Sequence, residues 1–579
     1  MTQSDPAPEE VAEAERAAAK AKAAAEEAQR RAEELAAAAQ AARRDAEESA
    51  ADERTNDDPT APDDDESIAA IRAGYAFDGP ALEIGALVVD GRARPDVPVR
   101  IPFGMLNRHG LIAGATGTGK TKTLQVLAEQ VAAGGVPVFA ADIKGDLSGI
   151  ATPGESSDKL LERTRGIGQD WRPTASTTEF YCLGGLGTGV PIRATIEAFG
   201  PTLLSKVLEL NATQESSLAL VFHYARKSGL RLVTVDDLRA VVAFLDSDEG
   251  KPELKAIGGL SSATVGVILR KLVAFADSGA DVFFGEPAFD VTDVLRTDDD
   301  GAGIVSLLEV PGVQDRPELF STFLMYLLRE LFSTLPEVGD TDKPKLVFFF
   351  DEAHLLFRDA SKEFLEIVVQ TVRLIRSKGV GVFFVTQTPK DVPDDVLAQL
   401  GSRIQHQLRA HTPQDAKALR ATVSTYPHSH YDLEEVLTQL ATGEAIVTVM
   451  NDKGAPSPVA WTRVRAPQGS MDPTPAETIA ATVETSPLGA KYAAVETTDG
   501  AASVLAERSR AAAAEASAAA ERDRTAREAE RLERQAPKTS TSSTGRRRST
   551  RMSPVERAIG EASRTAAREI VKAIFKKRR

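Results

Sequence analysis

The chain of 579 residues carries 69 Lys and Arg against 85 Asp and Glu, a formal net charge of −16. That balance excludes a protein whose whole surface coats nucleic acid and leaves room only for a local basic channel. A single cysteine, Cys182, excludes an intrachain disulfide and a cysteine zinc cluster, and an inert, buried thiol is its expected role.

At this length one core is not enough, so two or more folded units, or one with large insertions and tails, are expected. Residues 1–66 form an alanine- and glutamate-rich extension that ends in an acidic, Asp-Pro-containing linker from residue 56. Apart from Leu35, almost no large apolar residue interrupts it. With no seam to bury, a solvated helix is expected there in preference to a stable coiled coil. No basic-then-apolar leader and no run of about 18 apolar residues occurs, which gives a cytoplasmic expectation.

Folded structure is expected from Ser67 to about Val464. Alternating residues in Leu82–Val89, followed by Gly-Arg and Arg-Pro turn signals, predict a small β-hairpin. Next comes the stretch on which the reading turns: Gly114, Ala115, Thr116, Gly117, Thr118, Gly119, Lys120 and Thr121 match G-x-x-x-x-G-K-[ST]. A short run, Arg108–Ala113, that suits a buried strand precedes it and helix-spaced apolar residues follow it, which is the strand, loop and helix context the motif requires. The glycines let backbone N–H groups converge on phosphates at a helix N-terminus. Lys120 then reaches the β- and γ-phosphates and the Thr121 hydroxyl serves Mg²⁺. A second buried strand, Val136–Ala141, ends in Asp142, Lys144 and Asp146, where open α/β sheets bind ligands; these face a nucleotide or a neighbouring subunit, or form a polar turn with no role.

Residues of about 152–300 read as an inserted, mainly helical subdomain with one strand near Val190–Ala194. Regular α/β alternation returns with Gly303–Val310, a helix from about Pro317 to Leu335, and the apolar strand Lys345–Phe350 tipped by Asp351 and Glu352. Two carboxylates at the mouth of the sheet complete a nucleotide-hydrolysis site: Asp351 joins Thr121 in the Mg²⁺ shell and Glu352 orients the attacking water. The strand Val380–Gln387 is expected beside the P-loop strand, with Gln387 at its tip to report the γ-phosphate. Two closing strands, Gly443–Met450 and Pro456–Arg463, end the domain.

Residues 465–551 read as a Pro-, Ala- and Ser-rich linker with one charged helix. In residues 552–579, Val555, Ile559, Ala562, Ala566, Ile570 and Ile574 make one helical stripe opposite Arg564, Arg568, Lys572 and Lys576. Such a basic amphipathic helix suits an anionic membrane surface, a nucleic-acid backbone or another protein subunit, and the pattern does not choose among them.

Taken together, Gly114–Thr121, the strand end at Asp142–Asp146, Lys345–His354 and Arg376–Gln387 resemble the HerA/FtsK-type P-loop ATPases. More narrowly, the chain is similar to the bacterial HerA-like helicase C-terminal domain proteins, including at Asn211–Glu215 and Phe284–Pro287. The resemblance covers about Ser67–Arg463. It implies an α/β, RecA-like P-loop NTPase fold with a mostly parallel sheet, ATP and Mg²⁺ as cofactors, a homo-hexameric ring and DNA as a possible polymer substrate. It also implies an arginine that completes the neighbouring subunit's site, Arg376 first and Arg403 second, with Gln387 as sensor. The region before the P-loop is shorter than the N-terminal β-barrel of HerA. A nucleotide-dependent regulator or scaffold, attached through its terminal helices, is the competing expectation.

Overall fold

A computed structural model of the protein describes residues 64–535, apart from 257, 310–316, 340, 359, 452 and 495–498. Residues 1–63 of the expected N-terminal extension and the basic amphipathic helix expected over residues 552–579 therefore lie outside the described residues; residues 64–66, expected as linker, open the helix Asp64–Gly74. By contacts the chain divides into two units, Met1–Ala506 and Glu507–Arg579.

Within the first unit, twelve strands join in a single sheet. In chain order they are β1 (Ala81–Val89), β2 (Arg92–Pro102), β3 (Gly110–Ala113), β4 (Val138–Asp142), β5 (Thr178–Leu183) and β6 (Val190–Ile192). The rest are β7 (Val305–Glu309), β8 (Leu346–Phe350), β9 (Val380–Thr386), β10 (Ser402–Gln405), β11 (Glu444–Thr448) and β12 (Ala460–Val464). Their spatial order is β2-β1-β12-β11-β10-β3-β9-β8-β4-β7-β5-β6. From β10 to β6 every pairing is parallel. At the other end β11, β12, β1 and β2 add on antiparallel.

The central strands are apolar throughout because both faces are covered, as a parallel sheet requires. Successive side chains point to opposite faces. Phe348 and Phe350 of β8 and Phe384 of β9 thus join one core with the helices Ile196–Val207, Val235–Asp246, Pro317–Thr334 and Lys362–Ile375. Val347, Phe349 and Phe383 join the other core with Leu124, Leu127, Ala128 and Val131 of the helix Lys120–Ala133. The fold is the expected mostly parallel α/β sheet, covered by helices on both faces.

The stretch of 152–300 contains its expected helices and its expected strand, β6, and one further strand, β5. β5 and β6 extend the parallel sheet beyond β7, so this segment shares the sheet's core instead of standing apart from it. Thr178–Leu183 mixes polar and aromatic residues in a six-residue run, too short for its period to declare it a strand. Cys182 within it is buried and unpaired, and burial pushes its thiol up to about 11, as expected of an inert group.

The end of the first unit differs from the expected boundary. Residues 465–506, read from composition as linker, belong to the first unit. Trp171 Nε1 donates to Pro467 O at 2.7 Å, Gln169 exchanges hydrogen bonds with Ala466, and Thr474 Oγ1 donates to Ser148 O at 2.6 Å. Tyr492 is buried against Phe289, with a ring separation of 5.4 Å. Composition signalled a linker because the segment is held by backbone hydrogen bonds to distant side chains, which leave no apolar period. The charged helix Ala501–Gln535 follows. Among the described residues, no helix is long and apolar enough to cross a membrane.

Candidate active site

β3 delivers the chain to the glycine loop, and neighbouring strands shape that loop. Gly114 N donates to Thr386 O at 3.2 Å, at the end of β9, and Ala115 N to Gln407 O at 2.8 Å, just beyond β10. A side chain is excluded at Gly114, where a Cβ would lie 2.5 Å from Cβ of His406 and 2.9 Å from Thr118 Oγ1. Gly119, at φ 116°, adopts the left-handed backbone that launches the helix Lys120–Ala133. On the far side Gly443 N donates to Thr118 O at 3.0 Å.

Strand order decides what meets this loop. β9 lies between β3 and β8, all three parallel, with Ala113 opposite Thr386 and Phe350 opposite Phe384. The P-loop, Gln387 and the Asp351-Glu352 pair therefore share one rim of the sheet. Lys120, half-buried, feels the charges of both Glu352 and Asp351, although burial outweighs them and lowers its pKa. Its Nζ donates to Ala115 O at 3.1 Å.

Asp351 is pushed up to about 7, first by burial and then by the adjacent Glu352 charge. Burial also pushes Glu352 up, but the hydrogen bond and charge of Lys144 outweigh it, helped by His354 and Lys120, and hold it below the usual range. Lys144 Nζ stands 2.7 Å from Glu352 Oε1, and that contact raises the lysine against the opposing effect of its own burial. Glu352 has φ 47°, a left-handed backbone that is uncommon for a non-glycine residue and clusters at functional sites.

The other two acids after β4 part company. Asp142 is buried and accepts N–H bonds from Gly145, Leu147 and Ser148, so it shapes the turn that presents Lys144. Asp146 Oδ1 and Glu352 Oε2 are buried acceptors without a hydrogen-bond partner among the described residues. Spare acceptors of this kind, near the Asp351 carboxylate, fit a hard divalent cation. Among the described residues no three His, Cys, Asp or Glu side chains form a metal cluster of their own, so a cation here would need phosphate oxygens to fill its shell, as Mg²⁺ usually does.

Gln387 is exposed and lines a cleft of about 470 Å³ with Ala115, Thr116, Lys390 and Arg409. Thr386, its neighbour, is buried and turns its hydroxyl away to Asp391 at 2.8 Å. The two arginines implied by the resemblance lie elsewhere in their own chain. Arg376 follows the helix Lys362–Ile375 and precedes β9, at the rim opposite the P-loop. Arg403, on β10, donates to Thr425 Oγ1 at 2.6 Å and packs on the Tyr426 ring.

Sequence reasoning missed Arg409, whose Nη2 donates to Thr116 O at 3.1 Å, and His406, which lies buried behind the loop. Both lie past the end of β10 at Gln405, in a stretch without regular secondary structure. Their approach to the P-loop is a product of the β10-β3 pairing.

The family model described as Helicase HerA-like C-terminal matches residues 89–578. Among curated proteins, "Probable helicase MJECL08" of Methanocaldococcus jannaschii is 22% identical over 391 residues, covering 64% of this chain and 68% of that protein. The "DNA double-strand break repair helicase HerA" of Sulfurisphaera tokodaii is 24% identical over 384 residues, 64% and 67% of the two chains. A solved structure of the bacterial conjugative coupling protein TrwB aligns with a TM-score of 0.47 at 15% identity, over 71% of this chain and 94% of that one. With the family model spanning most of its length, from within β1 onward, this chain belongs to the HerA-like helicase C-terminal family.

Proposed function

We propose that the protein is an Mg²⁺-dependent ATPase that works as a homo-hexameric DNA translocase. The observation that supports this most is the shared rim: a P-loop lysine within electrostatic reach of two adjacent carboxylates, with β9 as the strand between them and Gln387 just past its end. Family membership supports nucleotide hydrolysis by a motor, and the S. tokodaii relative is named for work on DNA.

In this reading the backbone N–H groups of Gly117, Thr118 and Gly119 cradle the phosphates, Lys120 neutralises the β- and γ-oxygens, and Thr121 and Asp351 hold the cation. Bound Mg²⁺ supplies charge neutralisation at the transferring phosphoryl group. Glu352 accepts a hydrogen bond from the attacking water and takes its proton, while Lys144 keeps the carboxylate ionised and aimed. Gln387 donates to water or γ-phosphate from the neighbouring strand. An arginine of the adjacent subunit, Arg376 or Arg403, completes the site; both stand away from the P-loop of their own chain, as a residue that acts across an interface must.

The test is ATP turnover with and without single- and double-stranded DNA, alongside mass in solution. The proposal expects a ring-sized assembly and turnover raised several-fold by DNA, abolished in Lys120→Ala and Glu352→Gln. ATP binding with slow turnover that ignores DNA would instead favour the nucleotide-dependent scaffold.

A further inference from the structure

We propose that His406 is a positioning residue of the nucleotide site: from beneath the P-loop it holds the loop in its phosphate-binding shape and so sets the affinity for ATP. The inference rests on the reading of the loop as an ATP site and adds to it a residue outside the loop motif.

The ring is fully buried and reaches two elements that flank the loop. Its Nδ1 lies 2.8 Å from Glu444 O, at the start of β11, and its Nε2 lies 2.9 Å from Thr123 Oγ1, in the first turn of the P-loop helix. A carbonyl oxygen only accepts, so Nδ1 carries the proton and Nε2 accepts from the threonine hydroxyl. One neutral tautomer satisfies both contacts. Burial, with Lys120 nearby, pushes the ring down to about 4, so it stays in that form at neutral pH.

His406 also touches the loop at both ends. Its Cβ occupies the space a side chain at Gly114 would need, and its Cε1 lies 3.6 Å from where a Cβ on Gly119 would stand. Its own amide donates to Ala113 O at 2.7 Å, the last residue before the loop. Thr123, its partner, donates its amide to Gly119 O at 2.9 Å. The imidazole thus braces the loop's entry, its exit and the helix turn that follows. Phosphate binding needs loop N–H groups already aimed at the ligand, because ordering them at the moment of binding subtracts from affinity. A ring with one tautomer and two fixed partners supplies that order.

The experiment uses the full chain with a fluorescent ATP analogue, steady-state ATP turnover and thermal melts, all read below the melting transition. His406→Asn retains a donor for Glu444 O but cannot reach Thr123, and Thr123→Val removes the hydroxyl at nearly constant shape. Each is expected to weaken ATP binding and raise KM by about tenfold, with kcat changed far less, in keeping with one buried hydrogen bond. The double variant is expected to be little worse than either single one, since both break the same contact. Lowered melting temperatures with Kd and KM within twofold of wild type would overturn the inference, and these mild variants decide it even where His406→Ala fails to fold. ATP binding by wild type that Lys120→Ala weakens by about 10–100-fold, with both variants unchanged, sinks the inference alone. A wild-type chain that binds no ATP sinks the reading of the site as well.

Discussion

Lys144 Nζ and Glu352 Oε1 lie 2.7 Å apart, which ties the turn after β4 to the residue proposed to activate water. The pair draws together two strands that are neighbours in space and more than 200 residues apart in the chain. Lys144 is itself partly exposed, while the Glu352 side chain is 11% exposed, so the lysine can serve the carboxylate without being committed to the core. Replacement by methionine keeps the stem and removes the charge. Lys144→Met is expected to lower kcat by about tenfold with KM for ATP nearly unchanged, because orientation of a general base acts on the chemical step. Glu352→Gln should lower kcat further, by roughly 10²–10³-fold, and retain ATP binding. Steady-state kinetics with a parallel ATP-binding measurement separates the two parameters.

Lys120 is proposed to act on ATP binding itself. Its ammonium stays near the rim carboxylates despite burial that disfavours the charge, an arrangement that makes sense when phosphates share the site. Lys120→Ala is expected to weaken ATP binding by about 10–100-fold, the value of a charged hydrogen bond. Its melting temperature without nucleotide should be equal to or above wild type, since a partly desolvated charge has been removed. Titration of a fluorescent ATP analogue together with a thermal melt checks both statements.

Acid should weaken the fold through histidines buried in the neutral form. His109 is buried and its Nδ1 accepts the Val382 amide at 3.0 Å; burial pushes the ring down to about 4. His406 is likewise near 4. An unfolded histidine titrates near about 6.5, so between there and about 4 the unfolded chain takes up protons that the folded chain refuses. Stability is fully present above about pH 6.5 and falls as pH drops toward 4, by up to roughly 3 kcal/mol per ring. His109→Asn cannot titrate and keeps a side-chain oxygen that can accept the Val382 amide. Thermal melts across this range are expected to show a flatter acid limb for that variant.

The segment after β12 is expected to be essential to the first unit. Glu129, on the P-loop helix, accepts the amides of Gln468 at 2.8 Å and Gly469 at 2.9 Å. One turn earlier Gln125 donates to Ser470 O at 3.0 Å, and two turns earlier Lys122 donates to Met471 O at 2.6 Å. Removing the carboxylate strands two backbone donors. Glu129→Ala should therefore cost about 2–3 kcal/mol, read as a lower denaturant midpoint. A chain ended at Val464 is expected to be less stable than Glu129→Ala, whereas one ended at Ala506 keeps these contacts and melts close to the full chain.

Local pattern carried much of this protein. The glycine loop declares itself because few backbones can wrap a phosphate, and β8 does so because a parallel strand buried on both faces must be apolar until its acidic tip. Helices such as Ser262–Asp277 and Pro413–Val423 are legible from period and caps, with Thr412 and Asp415 forming a capping box. The resemblance carried by Gly114–Thr121 and Lys345–His354 pointed to the family that the comparisons found. What remained hidden depends on pairs distant in sequence. β5 is a strand because β7 offers its edge, residues 465–474 are ordered because Glu129, Gln125 and Trp171 receive their backbone groups, and His406 stands under the P-loop because β10 pairs with β3. By itself the order of residues determined which segments are strand, helix and phosphate loop, since those follow from side-chain period and backbone permission within a few turns. Only the tertiary structure decided which acids, lysines and histidines meet, because hydrogen bonds and charge act through space and leave no period in the chain.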